Sequence, residues 1–429
     1  MKPGLSRRQI LGGAVGLAAS SVPFAASSAD SDANAPPGSS RHLAQEYTVV
    51  YHNSEHQLYV EGCGLLRLSE GVLLAVVPIV PRSEWTQELR PTHSHLHVMR
   101  SEDHGRSWRE VSQLPYYSGR PWLHDGRLYL FAFTPGPKQR NDDLLLLCSD
   151  NGGRTWSKPV TLFRGHYWNC NTNLVVRDAK LYWSVDDLTY GNGDKRTTRA
   201  ICGDLSSGPM NSAAWRMSAP VPFPGVPRQL SDPKLDALGD RFLEPNVIEV
   251  AGRLRVVSSV KLNSQTTTNL CALYDLEDRD GKLDLKFVQY HPMLGGHLDF
   301  SVVRDDVSNM FWACANLAVD SRESLDFWKK ARASGKYRET STAGDDRRFL
   351  MLLYGLDGIN WFQAGCIAQA AMLSQSFMYA VPVVDGDDLA IVSRSSINAA
   401  HQHDADYCTF HRVKNFRRLA LNLFPQPEE

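Results

Sequence analysis

An all-β fold closed as a six-bladed β-propeller is what this sequence predicts, on three observations. Short apolar runs of strand length recur along the chain, turn-forming residues punctuate them, and one eight-residue turn signature returns. The signature is Ser101-Glu-Asp-His-Gly-Arg-Ser-Trp108, repeated as Ser149-Asp-Asn-Gly-Gly-Arg-Thr-Trp156 and, shortened, as Tyr354-Gly-Leu-Asp-Gly-Ile-Asn-Trp361. Each residue type has a mechanical job. The Asp or Asn side chain accepts turn N–H groups, Gly takes a positive φ, Ser or Thr ties the rim, and Trp lays its ring under the hairpin.

In chain order, Ser6-Arg7-Arg8-Gln9-Ile10-Leu11, the apolar run Gly12 to Ala19 and Ser27-Ser28-Ala29 read as a twin-arginine export signal over 1–29. A disordered linker is expected over 30–45 and the propeller over 46–425. No later stretch approaches the roughly 18 apolar residues of a membrane span. The expectation is an exported, periplasmic or extracellular monomer. Net charge is −1 with 22% charged residues, which speaks against nucleic acid as a partner. Eight scattered cysteines include no C-x-x-C pair, so a metal finger is not expected and no disulfide pair is singled out.

Strand signals continue through Val72–Val80, Leu128–Phe133, Leu144–Cys148, Leu174–Val176 and Leu350–Leu353. Turns at His124-Asp-Gly-Arg127, Ala251-Gly-Arg253 and Val384-Asp-Gly386 lead into strands. The blades fall at Tyr47–Trp108, Arg109–Thr161, His166–Met217, Arg241–Gln289, Gly295–Trp361 and Ser376–Leu419, and the spacing leaves room for a seventh. One helix candidate, Arg322–Ala333, sits in a charged stretch, Val319–Arg347, that reads as an inserted loop.

The repeated signature resembles the Asp-box, or BNR repeat, of the sialidase superfamily, which implies a sialidase-like propeller with these turns away from the active face. A sialidase needs arginines on the substrate carboxylate, a Tyr–Glu nucleophile couple and an acid for the leaving group. The segment Glu244-Pro-Asn-Val-Ile-Glu-Val-Ala-Gly-Arg-Leu-Arg-Val-Val-Ser-Ser259 resembles the family's glutamate strand, placing Glu244 beside the nucleophile. Ser259 stands where that strand ends in arginine, with Lys261 two residues on. Tyr379, before the Asp385-Gly386 hairpin, is the nucleophile candidate, against packing as a plain aromatic. Arg82 matches a family arginine, and Glu88 lies nearest the expected acid. Tyr59-Val-Glu-Gly-Cys-Gly64 replaces the arginine motif of the first blade, so weak release of a standard sialic-acid reporter is expected.

Other features lie outside that template. His93-Ser-His-Leu-His97 puts three imidazoles on one strand face, a spacing that can bind zinc but serves more often in polar packing. Gly165-His-Tyr-Trp-Asn-Cys170 contributes His166, Gly295-Gly-His-Leu-Asp299 contributes His297, and Ser393-Arg394 contributes Arg394. His401-Gln-His-Asp404 displays His403 and Asp404 as a base and its neighbour. The site expected is therefore catalytic Glu244, Tyr379, Glu88, His403 and Asp404, with Arg82, Arg120, His166, Lys261, His297 and Arg394 binding substrate. Neither metal nor cofactor is expected. The implied function is a glycoside hydrolase on an acidic or decorated glycan. Alternatives are a uronic-acid polysaccharide lyase using His and Tyr, and a non-catalytic glycan-binding propeller.

Overall fold

The computed structural model describes residues 42–82, 93–135, 143–188, 196–225, 241–261, 267–319 and 345–421. The export signal, most of the linker, Glu88 and the 322–333 helix candidate lie outside these residues. Within them the chain forms six antiparallel sheets arranged as the six blades of a propeller.

Burial of both strand faces explains the uninterrupted apolar runs. On the strand Val72–Pro81, Leu73, Ala75 and Val77 pack against the last blade, while Leu74 and Val76 pack against the second. On Arg127–Phe133, Tyr129, Phe131 and Phe133 face blade three and Leu128, Leu130 and Ala132 face blade one. Alternate side chains thus serve two neighbours, and a strand with two covered faces reads as continuously hydrophobic. The core is correspondingly divided. Six apolar clusters each bridge one pair of adjacent blades and close the ring.

Closure corrects two blade boundaries. Thr48–His52 pairs with Tyr407–Val413 as the outer strand of the last blade, so it does not open the first. Arg109–Leu114 pairs with His95–Ser101 and is the outer strand of blade one, not the opening of blade two that the sequence predicts. Both shifts have one cause: a ring leaves the first blade no preceding partner, so the N-terminal strand crosses the seam. Even before it, Leu43 and Ala44 donate to the carbonyls of Cys366 and Ile367 at 2.8 and 2.9 Å.

The repeated signatures form matching turns between third and fourth strands. In the first, Gly105 N donates to Ser101 Oγ (2.8 Å) and Ser107 N to Asp103 Oδ1 (2.9 Å). In the second, Gly153 N donates to Ser149 Oγ and Thr155 N to Asn151 Oδ1, both at 2.9 Å. Trp108 and Trp156 each donate Nε1–H to the carbonyl of their own turn glycine at 3.1 Å. Gly105 has φ +84°, and a Cβ there would meet the Phe410 ring at 2.3 Å. Trp108 is only half-buried, so it bridges to Phe410 of the closing blade rather than filling a sealed slot. The shortened copy keeps the cap: Asp357 Oδ1 accepts from Ile359 N and Asn360 N at 2.9 and 2.7 Å.

The histidine run is used in packing. His97 Nδ1 meets Glu110 Oε2 at 2.7 Å and its ring lies 4.3 Å from Tyr51. No group of three or more candidate ligands able to hold a metal occurs among the described residues. The eight thiols are free, seven of them buried. No helix among the described residues is long and apolar enough to cross a membrane.

Two outcomes follow from this architecture. Asp103→Ala leaves turn N–H groups uncapped and is expected to cost about 1–2 kcal/mol, read from chemical denaturation. His411 is fully buried, with Nδ1 on the Ala44 carbonyl (2.8 Å) and Nε2 on Thr409 Oγ1 (3.0 Å), and burial pushes its pKa down from 6.5 to about 4. Its unfolded imidazole takes up a proton near pH 6.5 and the folded one only near 4. Stability is therefore complete above that window and falls with pH through it, by about 1.4 kcal/mol per unit at most. His411→Gln should flatten this dependence in denaturation midpoints taken between pH 7 and 4.5. An unchanged slope would contradict the assignment.

Candidate functional site

Each blade's inner strand starts at the same end of the ring, and several of these strands are broken there. Blade one interrupts its inner strand between Leu58–Val60 and Gly64–Ser69, and blade three between Tyr167–Trp168 and Val175–Arg177. Blade four has a bulge between Leu243 and Asn246, and blade six one between Met378 and Val381. The bulge residues are Glu244 (φ +53°) and Tyr379 (φ +49°), both in the left-handed region. A bulge re-aims one side chain out of the pleat, and left-handed backbone at a non-glycine residue persists only where its surroundings enforce it. Pro245 suits the break, because it has no N–H to withdraw from the ladder.

These breaks open on a cavity of about 310 Å³, large enough for a sugar unit, that brings together Glu61, Glu244, Asp299, Arg347, Tyr379 and Arg394. The third-to-fourth strand turns that carry the repeated signature lie at the opposite end, as antiparallel alternation requires.

Tyr379 is the centre of the site. The Arg347 guanidinium lies 4.9 Å and that of Arg394 5.1 Å from its ring centroid. Burial raises the Tyr379 pKa well above its usual value and the charge of Glu244 adds to this, while both arginines pull it down. Glu244, 3% exposed, accepts from Trp168 Nε1 (3.4 Å) and Cys170 Sγ (3.5 Å) through Oε1. Its backbone N–H donates to Asp186 Oδ1 at 3.1 Å, and Arg196 pairs with Asp186 at 2.9 Å.

The cations are held by internal carboxylates. Asp345 meets Lys261, Arg347 and His403, each at 3.2 Å. The charges of Lys261 and Arg347 and the contact with His403 hold its pKa well below the ordinary value against the effect of burial. Arg394 pairs with Glu61, which also accepts from Tyr59 OH at 2.7 Å. Arg347 Nη1 and Arg394 Nε are nevertheless buried with no hydrogen-bond partner among the described residues. Burial lowers the His403 pKa to about 4, so its imidazole is neutral at pH 7.

Of the residues expected from sequence, Glu244, Tyr379, Lys261, His297, Arg394, His403 and Asp404 line this cavity. Arg82 stands behind Asp404, paired at 3.4 Å. Arg120 lies elsewhere: it is spent on the carbonyls of Thr172 and Pro121, each at 3.0 Å. His166 does not line the cavity; it is exposed and its carbonyl accepts from Leu188 N. Glu88 lies outside the described residues. Ser259 is buried with its hydroxyl on the Leu243 carbonyl (3.1 Å).

Sequence reasoning passed over Arg347, Asp345, Asp299 and Glu61. The first two end the stretch read as an inserted loop. Their signal was Asp345-Asp-Arg-Arg348 at the edge of the strand Phe349–Gly355, with acid and base two apart on shared faces.

No protein-family model matches the chain, and no curated protein matches it. Similar folds do occur among solved structures. Penicillium chrysogenum α-L-arabinanase, solved with arabinobiose, superposes with a TM-score of 0.53 at 14% identity, over 87% of this chain and 98% of that one. A protein of unknown function from Dyadobacter fermentans gives 0.56 at 12%, over 86% and 98%. Trypanosoma rangeli sialidase gives 0.54 at 16%, over 90% of this chain and 61% of its own length. At such identities the likeness is one of fold: an all-β, six-bladed, sialidase-like propeller, shared with an arabinanase.

Asp345→Ala should leave Lys261 and Arg347 uncompensated in the wall. We expect about 3–5 kcal/mol of destabilisation in denaturant titrations, with Asp345→Asn recovering only part of it. A loss below about 1 kcal/mol would mean the cations are compensated elsewhere.

Proposed function

We propose that this protein is an exported glycoside hydrolase acting on an acidic or otherwise decorated glycan, with Tyr379 as nucleophile and Glu244 as its base. The observation that carries this reading is the convergence of two bulged residues, Tyr379 and Glu244, with two guanidiniums flanking the phenol ring. In the first step the Tyr379 oxygen attacks the anomeric carbon and its proton passes to Glu244. Arg347 and Arg394, both lining the cavity, stabilise the developing phenolate and favour a substrate carboxylate by their charge. A phenol serves better than a carboxylate against such a substrate, since it carries no charge to repel it. Glu88 is our assignment for the acid that protonates the leaving oxygen. We read the paired turns as Asp-boxes, 1–29 as a twin-arginine signal and the body as one propeller domain acting in the periplasm or outside the cell.

A lyase is the second reading, favoured by one observation: the neutral imidazole of His403 is oriented by Asp345 in the cavity that holds Tyr379. That pair would suit abstraction of a proton beside a uronic-acid carboxylate.

The test uses aryl glycosides of N-acetylneuraminic acid, glucuronic acid and arabinofuranose, plus a uronic-acid polysaccharide. We expect an acidic aryl glycoside to be cleaved, with Tyr379→Phe and Glu244→Gln each lowering kcat by 10²-fold or more while binding survives. Ultraviolet-absorbing products that depend on His403 rather than Glu244 would establish the lyase instead. Cleavage of only the neutral arabinoside would overturn the carboxylate reading. Glycan bound and recovered intact would leave a binding propeller.

A further inference from the structure

Asp299 and Glu244 come from different blades, yet both are buried in the wall of the same cavity, near enough for a hydrogen bond between their carboxyl groups once one of them is protonated. Asp299 immediately precedes the inner strand of blade five, Phe300–Arg304, and Glu244 occupies the bulge of blade four. They are 4% and 3% exposed, so water screens neither. Two carboxylates have no donor between them and repel, so the contact requires a proton.

The surrounding groups decide which oxygen holds it. Glu244 already has donors of its own, Trp168 Nε1 and Cys170 Sγ, on Oε1. Asp299 Oδ1 is buried with no hydrogen-bond partner among the described residues, and an ionised Asp299 would leave a bare anionic oxygen there. The charges facing Asp299 are Glu244, Arg347 and Arg394, with the Cys170 and Cys314 thiols nearby. Both arginines are engaged by their own carboxylates, Asp345 and Glu61. Burial first and the Glu244 charge second push the Asp299 pKa well up, while Arg347 pulls it down.

We infer that Asp299 and Glu244 share a single proton carried on Asp299, and that Asp299 is the positioning residue that holds the Glu244 carboxylate toward Tyr379. This rests on the reading of Glu244 as the base. The Tyr379 proton then arrives on a carboxylate already anchored through Asp299, and the phenol O–H bond breaks as the Glu244 O–H bond forms. The site works with Asp299 neutral. Activity is lost as pH rises through the upper titration of the pair, where a second negative charge appears beside Glu244.

Asp299→Asn keeps a neutral donor and removes the titration. With the aryl glycoside cleaved fastest in the panel above, we expect the alkaline limb of kcat/KM to move up by at least one pH unit in Asp299→Asn. Asp299→Ala, which removes the donor, should lose tenfold or more in kcat at neutral pH. An unmoved alkaline limb would overturn the positioning role. Infrared titration of the carboxylic-acid C=O stretch tests the proton without any turnover. Wild type should retain such a band above the range near pH 7 where the buried Asp186 ionises, and Asp299→Asn should lack it. Loss of that band from wild type over this range would overturn the shared proton. Its presence alongside a fully active Glu244→Gln would instead place the failure in the function assigned to Glu244.

Discussion

Two-sided burial of the strands is the constraint on which the rest of this structure depends. A blade whose odd residues face one neighbour and whose even residues face the other has no exposed face to leave unmatched. Leu73 and Leu74, adjacent in sequence, belong to cores on opposite sides of one sheet. Such a sheet satisfies both faces only if the row of sheets returns on itself. The seam is where this demand is visible. Val50 on the N-terminal strand joins the same cluster as Phe410 and Cys408 on the C-terminal one, and Gly105 of the first turn signature lies against Phe410 across that boundary.

A closed ring can hold strain at its mouth because the strain is enforced from all sides. Left-handed backbone at Glu244 and Tyr379 would relax in an isolated hairpin. Here Thr172 Oγ1 holds the Pro245 carbonyl at 2.6 Å, and Asn246 Nδ2 reaches the Phe300 carbonyl at 3.0 Å. Asn316 Nδ2 does the same for Phe377 at 2.7 Å. Each bulge is thus pinned by a side chain from the adjacent blade. Buried asparagine and threonine in blade interiors are otherwise a poor choice, and their use here is explained by backbone groups that the bulges free from the ladder.

Much of the fold was legible because its signals are local. The turn signature depends on contacts within five residues, and the strand runs depend on period-two burial that a single sequence displays. The site was legible in part, for the same reason. Glu244 could be found because its strand carries a recognisable pattern, and Tyr379 because a hairpin follows it. Arg347 could not, since its importance comes from reaching Tyr379 across the mouth, thirty-two positions away, from a stretch that reads as charged loop. Arg120 failed in the opposite direction: an arginine in a strand near the ring's inner wall met two backbone carbonyls before it met the cavity. The seam strand was misassigned because nothing in Thr48–His52 distinguishes a first strand from a last one.

The charges around the cavity show why this mouth reads differently from a bare arginine clamp. A buried guanidinium without a counter-ion is costly, and the wall supplies one to each: Asp345 to Arg347, Glu61 to Arg394, Asp186 to Arg196. Pairing fixes the guanidinium planes, and it leaves Arg347 Nη1, Arg394 Nε and Arg196 Nε buried without hydrogen-bond partners among the described residues. An acidic ligand of the kind proposed would therefore compete with internal carboxylates for the charge of these guanidiniums. Glu61, in the segment Tyr59–Gly64 that stands where the resemblance called for an arginine motif, then has a physical role: it pairs with Arg394, whose guanidinium lies near the rings of both Tyr379 and Tyr59.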